Sequence, residues 1–307
     1  MKHAVKTAVI GVGKWGRSIV RVLKELEREG HNELVAICDV DFERAKLIAM
    51  EFKVKGYYDD IKDLFKSEKL DAVAIATPID KLSWVAERAL EEGVHVFVEK
   101  PVATRSEEVE RLIDLASSNG LVAMPGFIMR FDPVVLKLRE IIKDRDILYM
   151  AFRRLSYRPM TARRFSILLD LTVHDVDLAR YLSGVKEPKL TLSKVLRIRG
   201  DEVAILVLDL KGKPAIIHTD GLALMKVREI EVLTSESFIR ADTDKLEIVV
   251  KDSTGLSKVD IKGEEPLKKE LRTFINWVRG KKSPEAPTME DAYITLKLLE
   301  MAILEGV

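Results

Sequence analysis

Glutamine, asparagine and cysteine are nearly missing from this sequence. The 307 residues contain no glutamine, three asparagines and a single cysteine, Cys38. One cysteine excludes an intrachain disulfide framework, and the N-terminus lacks an apolar stretch long enough for a signal peptide, so we expect a cytoplasmic protein. Few heat-labile amides beside many Lys, Glu and Arg residues favour a hyperthermophilic source, with a plain compositional bias of the genome as the alternative.

Net charge and long hydrophobic runs are missing as well. Lys and Arg number 51 against 50 Asp and Glu, so the net charge is +1 and we predict no binding to nucleic acid or to an anionic membrane. No segment approaches the ~18 uninterrupted apolar residues of a membrane span. Hydrophobic residues still make up 47% of the chain, which predicts a globular protein, and the length favours two domains.

The pattern of elements changes near residue 124. Before it, short β-rich runs alternate with helical patterns, which is typical of βαβ units on a parallel sheet. After it, alternating strands separated by turn signals predict a mainly antiparallel sheet with accompanying helices. We therefore predict an α/β fold with a doubly wound parallel sheet in residues 1–124 and an α+β domain in residues 125–307. Strands are predicted at 4–10, 34–38, 72–76, 94–98, 121–124 and 147–155 and repeatedly over 189–250, and helices at 15–29, 41–52, 82–92, 107–118, 133–143, 172–182, 266–279 and 289–304.

A glycine motif follows the first predicted strand and opens the first predicted helix. Gly11 permits a tight turn, Gly13 lets the backbone approach a pyrophosphate, and Gly16 permits close packing of the helix on the strand. The N-terminus of the helix presents N–H groups to phosphates. This context predicts a dinucleotide-binding Rossmann fold, with an ordinary glycine turn as the alternative. The predicted cofactor contacts of this loop are Gly11, Val12, Gly13, Lys14, Trp15 and Gly16.

Two further positions are predicted to contact the cofactor. Asp39 ends the second strand about 20 residues after the motif, where a carboxylate accepts the ribose 2′-OH and repels a 2′-phosphate, so we predict NAD rather than NADP. Arg44 lies nearby and would weaken that preference, although an arginine on a helix is more often solvated. Thr77-Pro78 closes the third predicted strand at the carboxyl edge of the sheet, where ligands bind, and a plain strand-to-helix turn is an equal alternative.

Two motifs carry groups suited to proton and oxyanion chemistry. Pro101 favours an extended backbone at Lys100, which would project its ammonium toward a developing alkoxide. Asp170 and His174 lie four residues apart, on one side of a helix, and an imidazole titrating near about pH 6.5 can take and return a proton. Alone, each group is more often a solvated lysine or a structural histidine. Asp177 lies close to His174, but no second His or Cys does, so we predict no metal site.

The order of these motifs resembles the Gfo/Idh/MocA oxidoreductase family over nearly the whole chain, including Arg130-Phe131-Asp132-Pro133 between them. The resemblance implies an NAD(P)-dependent dehydrogenase acting on a CH-OH group, with Glu99 and Lys100 in contact with the cofactor and with Lys100, Asp170 and His174 as the catalytic group. It also implies an open C-terminal sheet whose outer face makes oligomer contacts, hence a homodimer or homotetramer. Segments 127–133, 169–177 and 226–230 are most similar to the family's UDP-N-acetylglucosamine 3-dehydrogenase group, while aldose, inositol and other polyol dehydrogenases share the main motifs.

Five arginines crowd residues 153–164, with Tyr157 among them. Guanidinium groups suit a diphosphate, and an aromatic ring can stack on a uracil, while a solvated basic loop is the alternative. A nicotinamide-binding regulator without turnover and an NAD-dependent glycosidase are the alternative functions. The residues predicted to bind a sugar or nucleotide-sugar substrate are Arg130, Arg154, Tyr157, Arg163 and Arg164.

Overall fold

The computed structural model describes residues 4–305, and the chain divides into two compact units. The first unit runs to Ile128 and includes Glu265–Tyr293, and the second takes Met129–Glu264 and the residues from Ile294 onward. The predicted change at residue 124 lies near the first division. The sequence assigned all of 125–307 to one domain, and the structure differs from this because Glu265–Tyr293 packs with the first unit.

The first unit is built on a six-stranded parallel sheet. Its strand order is β3-β2-β1-β4-β5-β6, which is the doubly wound order that the sequence predicts. The order reverses between β1 and β4, so the loops after these two strands meet where ligands bind in such sheets. The elements up to Ile128 are β1 (Val5–Ile10), α1 (Lys14–Arg28), β2 (Asn32–Cys38), α2 (Phe42–Phe52), β3 (Gly56–Tyr58), α3 (Ile61–Ser67), β4 (Ala72–Ile75), α4 (Ile79–Glu91), β5 (His95–Glu99), α5 (Ser106–Ser118) and β6 (Ala123–Gly126).

The apolar runs of the sequence explain the central strands. All four residues of β4 are buried, as are the last four of β5, because a parallel sheet is covered on both faces. The helix α2 begins as predicted, since the Asp41 carboxylate accepts a hydrogen bond from the Arg44 N–H. The sequence analysis missed β3 and α3, which have three and seven residues and are too short to show a hydrophobic period.

The second unit is built on an eight-stranded sheet of order β14-β13-β12-β11-β7-β10-β9-β8. Only β7 and β10 pair in parallel, so the sheet is mainly antiparallel, as predicted. Its elements are a 3-10 turn (Ile128–Phe131), α6 (Pro133–Ile142), β7 (Ile147–Leu155), a π-helical turn (Leu168–Thr172), α7 (Val173–Ser183), β8 (Lys189–Ile198), β9 (Asp201–Asp209), β10 (Pro214–Asp220), β11 (Val227–Thr234), β12 (Phe238–Asp242), β13 (Glu247–Asp252) and β14 (Gly255–Val259). The chain ends with α8 (Pro266–Val278) in the first unit and α9 (Met289–Glu305), within which the division between the units falls.

The two faces of the eight-stranded sheet differ. The helices α6 and α7 pack on one face, where alternate strand residues such as Leu206 and Ile217 are buried. The opposite residues point away from these helices and are exposed. We call this surface the outer face, and its large exposed apolar residues include Leu192, Leu196, Ile205, Ile216, Leu233 and Phe238.

Two kinds of feature are absent from residues 4–305. None of their helices is long and apolar enough to cross a membrane. Nor do three or more His, Cys, Asp or Glu side chains gather in a way that could hold a metal ion.

Candidate functional site

The three glycines of the loop between β1 and α1 have different surroundings. Gly11 has a φ of +85°, and a Cβ atom there would lie 2.7 Å from the carbonyl oxygen of Ala76. A Cβ atom on Gly16 would overlap the carbonyl oxygen of Gly11, whereas one on Gly13 would meet nothing within 4 Å. Gly11 and Gly16 therefore permit the turn and the close packing of α1, and Gly13 presents bare backbone to open space.

Alanine substitutions should separate these roles. We expect Gly16→Ala to lower the free energy of unfolding by about 3 kcal/mol, because the overlapping atom is rigid backbone that must shift. Gly13→Ala is the matched control and should keep the wild-type melting temperature, since its backbone angles suit alanine, while weakening NAD binding. Thermal unfolding without NAD, followed by NAD titration, measures both. Equal losses of stability in the two variants would contradict this explanation.

Asp39 is buried at the end of β2 and is held by the loop. The N–H of Val12 donates to its Oδ2 at 2.8 Å, and the N–H of Asp41 donates to its Oδ1 at 3.0 Å. Arg44 is half-exposed, with its Nη1 3.2 and 3.4 Å from the two Asp39 oxygens and its Nη2 2.7 Å from Asp41. The carboxylate thus lies beside the glycine loop, and the neighbouring Arg44 cation is paired with it while remaining half-exposed.

Thr77 offers an unused hydroxyl next to the glycine loop. Its Oγ1 is buried and has no hydrogen-bond partner among the residues described. Its backbone nitrogen would lie 2.8 Å from a Cβ atom on Gly11, so the two loops touch where the strand order reverses. A buried hydroxyl without a partner costs free energy, so this position suits a hydrogen bond to a ligand. Together with Gly13 and Asp39, it makes the site fit a dinucleotide.

Glu99 joins the glycine loop to the segment that carries Lys100. The indole Nε1 of Trp15 donates to its Oε1 at 2.6 Å, and the N–H of Lys100 donates to its Oε2 at 3.3 Å. The peptide bond between Lys100 and Pro101 is cis. Burial raises the pKa of Glu99 to about 7, although the Trp15 hydrogen bond and the Lys100 charge act against this.

A second buried carboxyl interacts with Glu99. Glu270 on α8 is fully buried, and neither of its oxygens has a hydrogen-bond partner among the residues described. Burial, and then repulsion from Glu99, raise the pKa of Glu270 well above its usual range. Glu270 is not predicted as a site residue from the sequence, since a glutamate on an amphipathic helix is normally solvated.

Asp170 and His174 lie on one continuous helical segment, as their spacing predicts. Asp170 belongs to the π-helical turn and His174 to the first turn of α7. Every residue from Thr172 to Arg180 is buried except His174, which is half-buried. Asp170 accepts a hydrogen bond at 3.0 Å from the Nε of Arg158, a residue that the sequence analysis placed only in the arginine cluster.

Two of the predicted substrate-binding arginines are buried in ion pairs. Arg154 donates twice to Asp175, at 2.7 Å each, and Arg130 donates to the two oxygens of Asp177 at 2.8 and 2.5 Å. Both arginines are 5% exposed. Because their guanidinium groups are engaged by carboxylates of α7, this geometry does not support direct contact with a substrate, and we propose instead that they hold α7 in place.

Of the other predicted substrate residues, Tyr157 and Arg164 are exposed, whereas the side chain of Arg163 is 14% exposed and lies beside Asp201. Tyr157 is exposed, and the guanidinium of Arg163 lies 5.3 Å from the centre of its ring. The Nε of Arg163 donates to the carbonyl oxygen of Arg158 at 3.0 Å. Arg164 is exposed and lies over the ring of Phe165 at 4.7 Å. An aromatic ring and two guanidinium groups thus share the loop that precedes Asp170.

Comparison with known proteins agrees with this geometry. Residues 5–127 match the Gfo/Idh/MocA family model, described as an oxidoreductase family with an NAD-binding Rossmann fold. The UDP-N-acetylglucosamine 3-dehydrogenase of Acidithiobacillus ferrooxidans is 31% identical over 182 residues, which are 59% of this chain and 55% of that protein. The myo-inositol 2-dehydrogenase of Thermotoga maritima is 27% identical over 317 residues, covering 96% of this chain and 94% of that protein.

Solved structures extend the likeness of fold to both units. The Acidithiobacillus ferrooxidans UDP-N-acetylglucosamine 3-dehydrogenase has a TM-score of 0.88 at 23% identity, covering 99% of this chain and 98% of that chain. The chain spans 55% and 56% of the length of two other relatives, both from Bacillus subtilis. The matched segment contains the glycine loop, Asp39, Thr77 and Lys100, so the first unit is an NAD-binding Rossmann domain.

Proposed function

We propose that this chain, whose residues 5–127 match the Gfo/Idh/MocA oxidoreductase family model, uses NAD to oxidise a secondary hydroxyl of a sugar or nucleotide sugar. One observation carries the proposal. The carboxyl ends of the neighbouring strands β1, β4 and β5 of an NAD-binding domain bear the glycine loop, the unpaired Thr77 hydroxyl and Lys100. Parallel sheets of this order bind their ligands at that edge, so a cofactor and a cationic side chain are available at one edge.

Bound NAD supplies the acceptor for a hydride. The residues suited to hold it are the glycine loop for the pyrophosphate, Asp39 for the adenosine ribose, and Thr77 Oγ1 as a hydrogen-bond donor. The indole hydrogen bond to Glu99 and the hydrogen bond from the Lys100 N–H to the same carboxyl keep the glycine loop and the Lys100 backbone in a fixed relation.

Oxidation of a secondary alcohol removes a hydride from carbon and a proton from oxygen. We propose that His174 takes that proton, because it is the one half-buried group in an otherwise buried stretch of α7. The ammonium of Lys100 would stabilise the negative charge that develops on the oxygen, and Asp170 would orient the sugar or the imidazole. The product is a ketone, and His174 returns its proton to solvent or to the substrate in the reverse direction.

For the substrate, we propose a nucleotide sugar of the UDP-N-acetylglucosamine type. An exposed guanidinium group at Arg164 and an exposed aromatic ring at Tyr157 suit a diphosphate and a nucleobase, and the guanidinium of Arg163 lies over that ring. Relatives named as inositol dehydrogenases support an inositol or another polyol as the second candidate. The third is a nicotinamide-binding regulator without turnover.

A substrate panel tests the function. The purified chain is mixed with NAD and, separately, UDP-N-acetylglucosamine, UDP-glucose, myo-inositol and glucose, and NADH absorbance is followed. We expect sustained NADH formation with the nucleotide sugar. NAD-dependent thermal stabilisation without NADH formation from any of them would reject the dehydrogenase in favour of a binding protein. Sugar release without net NADH would indicate a glycosidase.

The Asp39–Arg44 pair predicts how cofactor preference can be changed. We expect Asp39→Ser to tighten NADP binding by about tenfold and weaken NAD binding, because it removes the charge that repels a 2′-phosphate and releases one side of Arg44. Isothermal titration with both cofactors measures the change. The control is the double variant Asp39→Ser with Arg44→Ala, which lacks the cation. It should lose most of the gain in NADP affinity. Equal NADP affinity in both variants would exclude Arg44 from the effect.

We also propose that a second copy of this chain covers the outer face. Its exposed apolar residues lie on neighbouring strands, with Val207 of β9 opposite both Leu192 of β8 and Ile216 of β10. A contiguous apolar surface of this kind is typical of an obligate interface. Light scattering should give a dimer or tetramer for the wild type and a smaller species for Ile216→Lys. A wild-type monomer at micromolar concentration would reject the proposal.

A further inference from the structure

Arg158 is the most heavily engaged arginine of the segment that leads to Asp170. It is 2% exposed, and its Nη1 donates to Asp201 Oδ1 at 2.7 Å. Its Nη2 donates to the carbonyl oxygens of Ala162 and Phe165 at 2.9 and 2.7 Å. Its Nε donates to Asp170 Oδ2 at 3.0 Å. One guanidinium therefore connects the Asp170 carboxylate to the first residue of β9 and to the loop that precedes Asp170 in the chain.

The partners of Arg158 are themselves anchored. Asp201 is fully enclosed as a side chain, and its second oxygen lies 3.1 Å from the Nε of Arg163. The next residue, Glu202, accepts hydrogen bonds from the N–H of Ile167 at 2.7 Å and from the Ser166 hydroxyl at 3.0 Å. The start of β9 thus holds the segment immediately before Asp170 at several points.

Space around Arg158 leaves little freedom to turn. A Cβ atom on Gly221 would lie 2.9 Å from its Cδ and 2.7 Å from Asp201 Oδ1. The N–H of Arg158 donates to the carbonyl oxygen of Gly221 at 3.1 Å. A planar guanidinium group has several N–H donors in fixed directions, so it can donate hydrogen bonds to Asp170, Asp201 and two carbonyl oxygens at once. A lysine at this position would have a single nitrogen for all four acceptors.

The direction of one donor distinguishes Arg158 from a purely structural ion pair. Arg154 and Arg130 each donate twice to a buried aspartate of α7. Arg158 instead donates from its Nη atoms to Asp201 and to two backbone carbonyl oxygens. Its Nε donates to Asp170, whose side chain remains 25% exposed. A carboxylate that is accessible on one side and held on the other is set in a defined orientation.

We propose that Arg158 is a positioning residue that holds the Asp170 carboxylate in place for the reaction on the sugar. The proposal rests on the function proposed above. It assigns to Arg158 no contact with substrate or cofactor, and its effect on turnover passes through Asp170. Removing Arg158 should therefore cost nothing further once the Asp170 carboxylate has been removed.

A double-mutant cycle tests this dependence. We expect Arg158→Lys and Asp170→Asn each to lower kcat by about tenfold or more, and the double variant to lie within about twofold of Asp170→Asn. The affinity for NAD should stay within about twofold of wild type in all three, because none of these residues belongs to the NAD-binding unit. Effects that multiply in the double variant, or an Arg158→Lys enzyme with wild-type kcat, would overturn the proposal.

The matched control is Arg180→Lys. Arg180 is also a buried arginine of the second unit, and it donates to the Lys186 carbonyl oxygen and to Thr295. It should lose stability as Arg158→Lys does, but its effect on kcat should multiply with that of Asp170→Asn. If the effects of Arg180→Lys and Asp170→Asn on kcat were as non-additive as those of Arg158→Lys and Asp170→Asn, general destabilisation would explain the Arg158 result. That outcome would overturn the proposal.

Amide hydrogen exchange provides a readout that needs no activity. We expect Arg158→Lys to speed exchange in residues 166–172 by at least about tenfold, with Arg180→Lys leaving that segment close to wild type. Unchanged exchange there would overturn the positioning role. Wild-type NADH formation decides the proposed function separately, so a chain inactive on every sugar would reject the function while exchange still decides whether Arg158 holds Asp170.

Discussion

Replacing Lys100 with alanine is expected to lower kcat by about 10²–10⁴-fold while NAD still binds. The reason is that the substitution removes the ammonium proposed to stabilise the developing oxyanion, but keeps the backbone N–H that donates to Glu99. The indole hydrogen bond from Trp15 to Glu99 is also untouched, so the glycine loop should keep its shape.

Steady-state NADH formation and NAD titration together check this prediction. Lys100→Arg should retain part of the activity, because it keeps a positive charge with a different reach. Lys81→Ala, which removes an exposed lysine of α4 in the same unit, is the control for loss of charge alone and should leave kcat unchanged. A fully active Lys100→Ala enzyme would remove Lys100 from the proposed catalytic group.

Stability is expected to fall as the pH rises from about 5 to 8, and the two buried glutamates of the first unit are the cause. Burial raises the pKa of Glu99 to about 7 in the folded chain, from a usual value of 4.5. Below about 4.5 both folded and unfolded chains hold the proton, so its contribution is fully present. Between the two values only the folded chain holds it, and about 3 kcal/mol is lost by the time the pH reaches about 7.

Glu270 should add to this loss, because burial and the charge of Glu99 also raise its pKa well above the usual range. We expect Glu270→Met to stabilise the protein at about pH 8, where the wild type must keep an unpaired acid protonated or bury its charge. At about pH 5 the difference should shrink, since both glutamates are then readily protonated. The change replaces the carboxyl with an apolar group of similar length, so packing is largely conserved.

Urea unfolding across this pH range measures the effect. Glu110→Gln removes an exposed glutamate of α5 and should leave the pH profile of stability unchanged. A wild-type stability that is flat or rises between about pH 5 and 8, or a Glu270→Met variant less stable than wild type at about pH 8, would show that the buried pair does not hold its protons.

Much of the cofactor site was predictable because its determinants are local. A glycine motif between a buried strand and an amphipathic helix can hardly fold otherwise, and φ at Gly11 and the crowding at Gly16 agree with the roles expected from spacing. The same holds for the helical segment that carries Asp170 and His174. Prediction failed where elements were short, as in β3 and α3, because three or seven residues contain too little of a period to recognise.

The arginines of residues 153–164 show that a local sequence pattern does not predict which partner each side chain contacts. Five arginines within residues 153–164 share one composition, yet Arg154 is buried against Asp175, Arg158 bridges Asp170 and Asp201, and Arg164 is exposed. The carboxylate partners of Arg154 and Arg158 lie 12 to 43 residues away along the chain. A guanidinium is attracted to any carboxylate. The sequence therefore identifies the hydrogen-bond donors, but the packing of the strands decides which carboxylate each of them contacts.

Apart from the short β3 and α3, the sequence by itself determined the order of the strands and helices in the first unit. It also determined the dinucleotide loop with its acidic partner and the family of that unit, since each depends on residues close together in the chain. Only the tertiary structure decided that Glu265–Tyr293 packs with the first unit, that Glu270 comes to lie buried beside Glu99, and that Arg158 reaches Asp170. The physical reason is that burial and charge pairing depend on which distant segments meet, and they reverse the ordinary preference of a charged side chain for water.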